Sequence, residues 1–219
     1  MWSSEVTNMI ITGIWETLYM TLVSTLVGYV IGLPMGIILT VSDKDGIKPN
    51  AVLYKILDVI ANIVRSVPFI ILLVLLIPFT RLVVGKGYGS TATIVPLVIA
   101  AAPYIARMVE SSLKEVDAGV IEAARSMGAS NFTIITKVML VEARTSLLVG
   151  ATITLGTILG YSAMSGAVGG GGLGAIAIRY GYTRWQTDIM IVTVILLIIL
   201  FQIFQTVGMK LADKFDHRK

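Results

Sequence analysis

No cysteine occurs among the 219 residues, and the only histidine, His217, stands two positions from the end. Without cysteine there is no disulfide, thiolate metal site, thiol nucleophile or lipidated cysteine anchor. One terminal histidine is no basis for a Ser-His-Asp triad or an imidazole-built metal site. Charge is also scarce. Charged residues make up 14% of the chain, against about 25% in an ordinary soluble domain. Apolar residues make up 56% before glycine is counted, and mean hydropathy is +0.87. That leaves too little polar surface to cover a soluble globule of this length. A soluble enzyme, a disordered regulator and a nucleic-acid-binding domain are therefore poor fits. The net charge of +4 suits cations held in cytoplasmic loops against anionic lipid better than a nucleic-acid partner.

Long apolar runs are what the chain does have. A membrane helix needs about 20 mostly apolar residues. Five segments approach that length, over about 14–41, 56–79, 91–109, 145–164 and 189–209. Asp58 and Arg65 lie near the start of the second. Pro68 and Pro78 interrupt the second, and Pro96 and Pro103 break the third. No secretory leader is visible, since the first cation is Lys44. With the N-terminus outside, the inner segments hold Lys44, Lys48 and Lys55, then Arg107, Lys114, Arg125, Lys137 and Arg144, then Lys210, Lys214, Arg218 and Lys219. The outer segments hold only Arg81, Lys86, Arg179 and Arg184. This bias predicts an all-α polytopic protein of about five membrane helices, N-out and C-in. Residues 1–13 then form an outer segment, 14–206 the membrane domain and 207–219 a cytoplasmic tail. The longest polar stretch, about 110–144, is cytoplasmic.

Gly28, Gly32 and Gly36 repeat at intervals of four on the first span, which suits close approach of another helix. Gly156 and Gly160 repeat the device on the fourth. Gly169, Gly171 and Gly174 satisfy Gly-x-Gly-x-x-Gly, and Asp188 follows at a suitable distance. The dinucleotide fold needs a strand before that motif, and here a membrane-length apolar segment precedes it. A tight non-helical passage at the outer membrane edge is the better reading. No P-loop signature occurs.

The cytoplasmic stretch carries the strongest signal. Asp117 is placed to cap a helix over 118–127, and Gly128 to end it in the left-handed conformation. Val120, Ile121 and Ala124 give that helix an apolar face, and a second helix is expected after Ser130. A short, sharply stopped amphipathic helix suits docking into a groove of another protein. A helix lying on the membrane surface has the same periodicity, which does not separate the two.

The segment Glu122-Ala123-Ala124-Arg125-Ser126-Met127-Gly128, followed by Val138-Met139-Leu140, resembles the EAA loop of ABC importer permeases. That loop reads Glu-Ala-Ala, three residues, Gly, nine residues, then Ile-x-Leu-Pro. Val138 replaces Ile, and Val141 stands in place of the proline. The resemblance extends over about 13–206. Trp15-Glu16-Thr17, Arg65-Ser66-Val67-Pro68-Phe69, Ile77-Pro78-Phe79-Thr80-Arg81, Ala101-Ala102-Pro103-Tyr104 and Gly160-Tyr161-Ser162-Ala163-Met164 are similar to methionine-importer permeases in particular. It implies the type I permease fold in a bacterial inner membrane. It also implies a homodimer, two cytoplasmic ABC ATPase subunits and an extracytoplasmic substrate-binding protein, with lipid around it and no nucleic acid. ATP and Mg would sit on the ATPase, with no cofactor and no enzymatic activity on this chain. Glu122, Ala123, Ala124 and Gly128 would couple to the ATPase. Tyr161, Ser162 and Met164 would line the pathway, with Met164 at its narrowest part. The alternatives are the same architecture carrying another amino acid or a quaternary amine, and a nucleotide-independent channel or secondary carrier. No internal repeat of the kind many carriers show is visible.

Overall fold

A computed structural model describes residues 4–215. His217, Arg218 and Lys219 lie outside that range. The described residues form helices α1 (Ser4–Ser42), α2 (Ala51–Ser66), α3 (Phe69–Leu75), α4 (Ile77–Val84), α5 (Ser90–Lys114), α6 (Ala118–Ser126), α7 (Asn131–Thr133), α8 (Leu140–Glu142), α9 (Arg144–Ser165), α10 (Gly172–Ile176) and α11 (Thr187–Lys214). Ile134–Met139 and Ala177–Tyr182 are π-helical. Four helical stretches are long and apolar enough to cross a membrane, and the α2–α3 pair makes a bent fifth.

At 39 residues, α1 is about 58 Å long, nearly twice the hydrocarbon thickness of about 30 Å. Its outer turns include residues 4–13, so the expected N-terminal segment is mostly helix. The second apolar run is not one straight span, because α2 and α3 meet at 101°. Pro68 explains the break. It lacks an N–H and crowds the residue before it, and Val67 is extended at φ −84°, ψ 125°. Pro78 sits in the first turn of α4, where the missing N–H costs little. Pro96 and Pro103 do not break the third span, contrary to the sequence expectation. Both are buried inside a continuous α5, whose packing against α1 outweighs the lost backbone bonds.

That α1–α5 contact is the main seam of the protomer. A Cβ on Gly32 would stand 2.6 Å from the Ala102 carbonyl oxygen, and one on Gly36 2.6 Å from that of Ala106. Only a bare backbone lets the helices approach so closely. Gly156 plays the corresponding part against Phe201 of α11, whereas nothing lies within 4 Å of a Cβ on Gly160. The core gathers Met20, Leu97, Ile105, Val109 and Leu113 along the seam with Ile134, Met139 and Ile158.

Candidate functional site: a capped cytoplasmic helix and an outer glycine knot

Two features stand at opposite ends of the bundle. At the cytoplasmic end, Asp117 caps α6, its carboxylate accepting from the Gly119 N–H at 2.7 Å. Gly128 ends the helix in the left-handed region at φ 80°. The Gly128 N–H donates to the Arg125 carbonyl at 3.0 Å and the Ala129 N–H to the Ala124 carbonyl at 3.1 Å. This pair of bonds is the Schellman closure, which needs a residue at ease at positive φ. Ser130 then caps the next segment, accepting from the Thr133 N–H at 3.2 Å. No proline bends the chain where Val141 stands. The π-helical turn over Ile134–Met139 changes the register instead, burying Ile134 and Met139.

Of the apolar face read from sequence, Ala124 is buried, Ile121 half-buried and Val120 exposed. Ala123 is exposed beside it. Glu122 is exposed and makes no hydrogen bond or ion pair among the described residues. It lines a cavity of about 290 Å³ with Asp43, Lys114, Ile121, Arg125 and Met139. Arg125 donates to the Ile47 carbonyl at 2.9 Å, tying α6 to the α1–α2 turn. Met127 and Phe132 leave 82% and 75% of their surface bare. The sequence reading passed over both, because neither lies on the predicted apolar face. An exposed aromatic after the helix stop was the available signal.

Behind α6 runs a charge network that joins α1, α2 and α5. Arg107 pairs with Asp58 of α2 and, at 2.7 Å, with Glu110 one turn along α5. It also donates to Asn62 at 3.0 Å. Lys114 reaches Glu110 at 2.8 Å and Asp43 at 2.6 Å, and the Tyr54 hydroxyl donates to Glu110 at 3.3 Å. Glu110 is only 4% exposed, so its charge depends on these donors. The Lys114 ammonium, through its hydrogen bond, holds the Asp43 carboxyl below the usual aspartate range. Spacing explains the arrangement. Tyr54, Asp58 and Asn62 recur every four residues and give α2 one polar face toward α5.

At the outer end the glycine run doubles the chain back on α9. A Cβ on Gly174 would overlap the Ala163 carbonyl, and one on Gly166 the Ala175 amide. Gly171 and Gly172 take φ 91° and 72°. Glu16 and Thr17 of α1 hold the returning helix α10 by its N-terminus. The Gly172 N–H donates to Glu16 Oε2 at 2.6 Å and the Leu173 N–H to Thr17 Oγ1 at 2.9 Å. The Gly89 N–H donates to the Gly169 carbonyl at 2.8 Å, so the loop before α5 joins the same knot. An outward cavity of about 730 Å³ opens beside it, lined in part by Glu16, Tyr88 and Arg179.

The three residues expected in the pathway do not share a face. The Tyr161 ring stacks on Phe69 with centroids 4.5 Å apart. Ser162 is buried, and its hydroxyl donates to the Leu159 carbonyl at 2.8 Å, so it offers nothing to a passing solute within this protomer. Met164 is 53% exposed. It ends a strip of α9 at helical spacing in which Ile153, Gly160 and Met164 are exposed and Thr157 is half-buried.

Three comparisons bear on this arrangement. A family model described as the inner membrane component of binding-protein-dependent transport systems matches residues 32–218. A probable D-methionine transport system permease protein of Vibrio cholerae is 49% identical over 217 residues, covering 99% of this chain and 96% of that one. The D-methionine transport system permease protein of Escherichia coli K12 is 51% identical over 158 residues, 72% of this chain and 73% of that one. A chain from the MetNI methionine ABC transporter, solved in inward-facing conformations, superposes with a TM-score of 0.97 at 49% identity, covering 99% of this chain and all of the other. An amino acid ABC transporter crystallised with histidines shares the fold, with a TM-score of 0.73 at 22% identity.

Proposed function

The chain belongs to the inner membrane components of binding-protein-dependent transport systems, and on that premise we propose that it is the methionine-conducting permease of an ATP-driven importer. It works as a homodimer, receives substrate from an extracytoplasmic binding protein and is driven by two copies of a separate cytoplasmic ATPase. The observation that carries this reading is α6. It is a short helix stopped at both ends by its own sequence, anchored to the α1–α2 turn by Arg125. Around it Val120, Met127 and Phe132 are exposed, and Glu122 has no partner among the described residues.

Such a helix can pass on a push. Its caps keep it from fraying, and the buried Ala124, Ile134 and Met139 join its motion to the ends of α5 and α9. Glu122, Ala123, Ala124 and Gly128 therefore form the coupling element, with Met127 and Phe132 added as contacts. ATP and Mg act on the partner; this chain supplies the path and the lever. The path follows the strip of α9 from Ile153 to Met164, with Met164 as its flexible constriction and Gly160 leaving room beside it. Tyr161 supports the strip from behind through Phe69. A thioether on an unbranched stem fills a gap and swings aside at small cost.

The test is reconstituted uptake. The wild-type permease, co-purified with its ATPase and supplied with binding protein, takes up methionine only with ATP. Gly128→Val inserts normally but loses ATP-driven uptake and co-purifies less ATPase. Met164→Cys, in a chain otherwise free of thiols, cross-links to its symmetry mate. Full uptake by Gly128→Val would remove the coupling role, and uptake without nucleotide would favour a carrier.

A further inference from the structure

Beside the α1–α2 turn lies a crevice that the transport cycle above does not use. It has a volume of about 290 Å³. Ile37, Ile38 and Val41, from the last turns of α1, form one wall and Leu53 of α2 the other. Ile135, from the π-helical segment that follows the coupling helix, closes the end. Lys48 sits on the rim.

Of the nearby lysines, Lys48 and Lys55 lack an acidic partner among the described residues, and only Lys48 lines the crevice. Lys44 pairs with Asp45, and Lys114 with Asp43 and Glu110. Lys48 is exposed, and its ammonium has no acidic partner among the described residues. Its own backbone N–H donates to the Val41 carbonyl at 3.1 Å, which fixes its main chain at the apolar slot that it helps to line. The rim also holds the start of α2, a 16-residue helix whose N-terminal end is the positive end of its dipole. An apolar slot with an unpaired cation in its lining, at the end of a helix long and apolar enough to cross a bilayer, matches one chemistry: a negative headgroup over a hydrocarbon chain.

We infer that this crevice binds one anionic phospholipid of the cytoplasmic leaflet per protomer. Its phosphate lies at Lys48 and the first turn of α2. One acyl chain runs down between Val41, Ile38 and Leu53 to Ile135. The inference rests on the N-out orientation, which places residues 43–50 at the cytoplasmic surface, and not on the identity of the transported solute. The bound lipid touches both the α1–α2 scaffold and the segment that carries the coupling helix.

The test is native mass spectrometry of the delipidated full-length permease, titrated with equal amounts of phosphatidylglycerol and phosphatidylcholine. One phosphatidylglycerol per protomer is expected to be retained in preference to phosphatidylcholine. Lys48→Ala should weaken its retention about fivefold, the effect of one cation near a lipid phosphate. Val41→Trp, which fills the slot without changing charge, should weaken retention at least as much. Lys55→Ala, which removes a nearby cation outside the crevice, should leave it unchanged. Equal losses from Lys48→Ala and Lys55→Ala would reduce the effect to diffuse charge and overturn the site. So would equal retention of the two lipids, or full retention by Val41→Trp. Displacement of the lipid by millimolar inorganic phosphate would show a free-anion site and also overturn it. None of these readouts uses uptake, so they stand apart from the transport assay.

Discussion

The outer glycine knot and the cytoplasmic coupling helix are both short helical pieces attached to the long spans, yet they are held in opposite ways. In the knot, backbone touches backbone. Gly166 and Gly174 sit against the main chain of their neighbours, and Glu16 and Thr17 clamp the N-terminus of α10 from another helix. At α6 the caps, the Arg125 bond and the packing of Ala124 hold the helix, and most of its surface is exposed side chain. The knot has no room to change, whereas the coupling helix is rigid within itself and open to a partner. The proposed coupling role asks only for the second condition, a helix rigid within itself and open to a partner.

The comparison breaks most readily at Gly174. Gly174→Val drives a side chain into the Ala163 carbonyl, so a loss above about 3 kcal/mol is expected. Size-exclusion profiles of the detergent-solubilised protein should show little folded material. Gly160→Ala, where nothing lies within 4 Å, should melt like the wild type. A stable Gly174→Val protein would remove the claim that the knot is sterically locked.

Arg107→Ala comes next. It leaves the nearly buried Glu110 with one cation fewer and frees Asp58, for a cost of about 2–3 kcal/mol in thermal unfolding. Because Arg107 bonds to both Asp58 and Asn62 of α2, a cysteine placed at Val59 should change its labelling rate in the same variant.

Glu16→Gln keeps the shape of the clamp but loses its charge, so about 1–2 kcal/mol is expected. Most of that loss should appear as faster labelling of a cysteine introduced at Ala175 of α10, which lines the outer cavity, rather than as global unfolding.

Asp43→Asn should have the smallest effect, under about 1 kcal/mol, since the Lys114 side chain is 41% exposed and solvent screens the pair. Its pH dependence has a definite sign. The folded-state pKa of Asp43 is lowered, so the stabilisation is complete above the ordinary aspartate value of about 3.9. It is lost as pH falls through the lowered value. Melting curves of wild type and Asp43→Asn should therefore converge in acid and separate at neutral pH.

Much of the cytoplasmic region could be read directly along the chain. Caps act over three or four residues, so Asp117, Gly128 and Ser130 announce α6 and its neighbour without help from elsewhere. The Gly28, Gly32 and Gly36 stripe names a helix face by period alone. Proline was a poorer guide, because its effect depends on surroundings. Pro68 breaks the second run at 101°, while Pro96 and Pro103 are carried inside α5. No local pattern distinguishes those cases, since the packing that offsets the missing bonds comes from α1.

Composition and helical period thus determined that the protein is all-helical with about five long apolar runs, and local caps determined the short helix α6. Each is a property of near neighbours or of sums over the chain. Tertiary structure alone decided that Glu16 caps a helix 156 residues away, that Arg107 ties α2 to α5, and that Ser162 turns inward while Met164 stays bare. Those outcomes depend on which helix faces which. That choice is made by close packing of surfaces far apart in sequence, and no periodicity within a single segment encodes it.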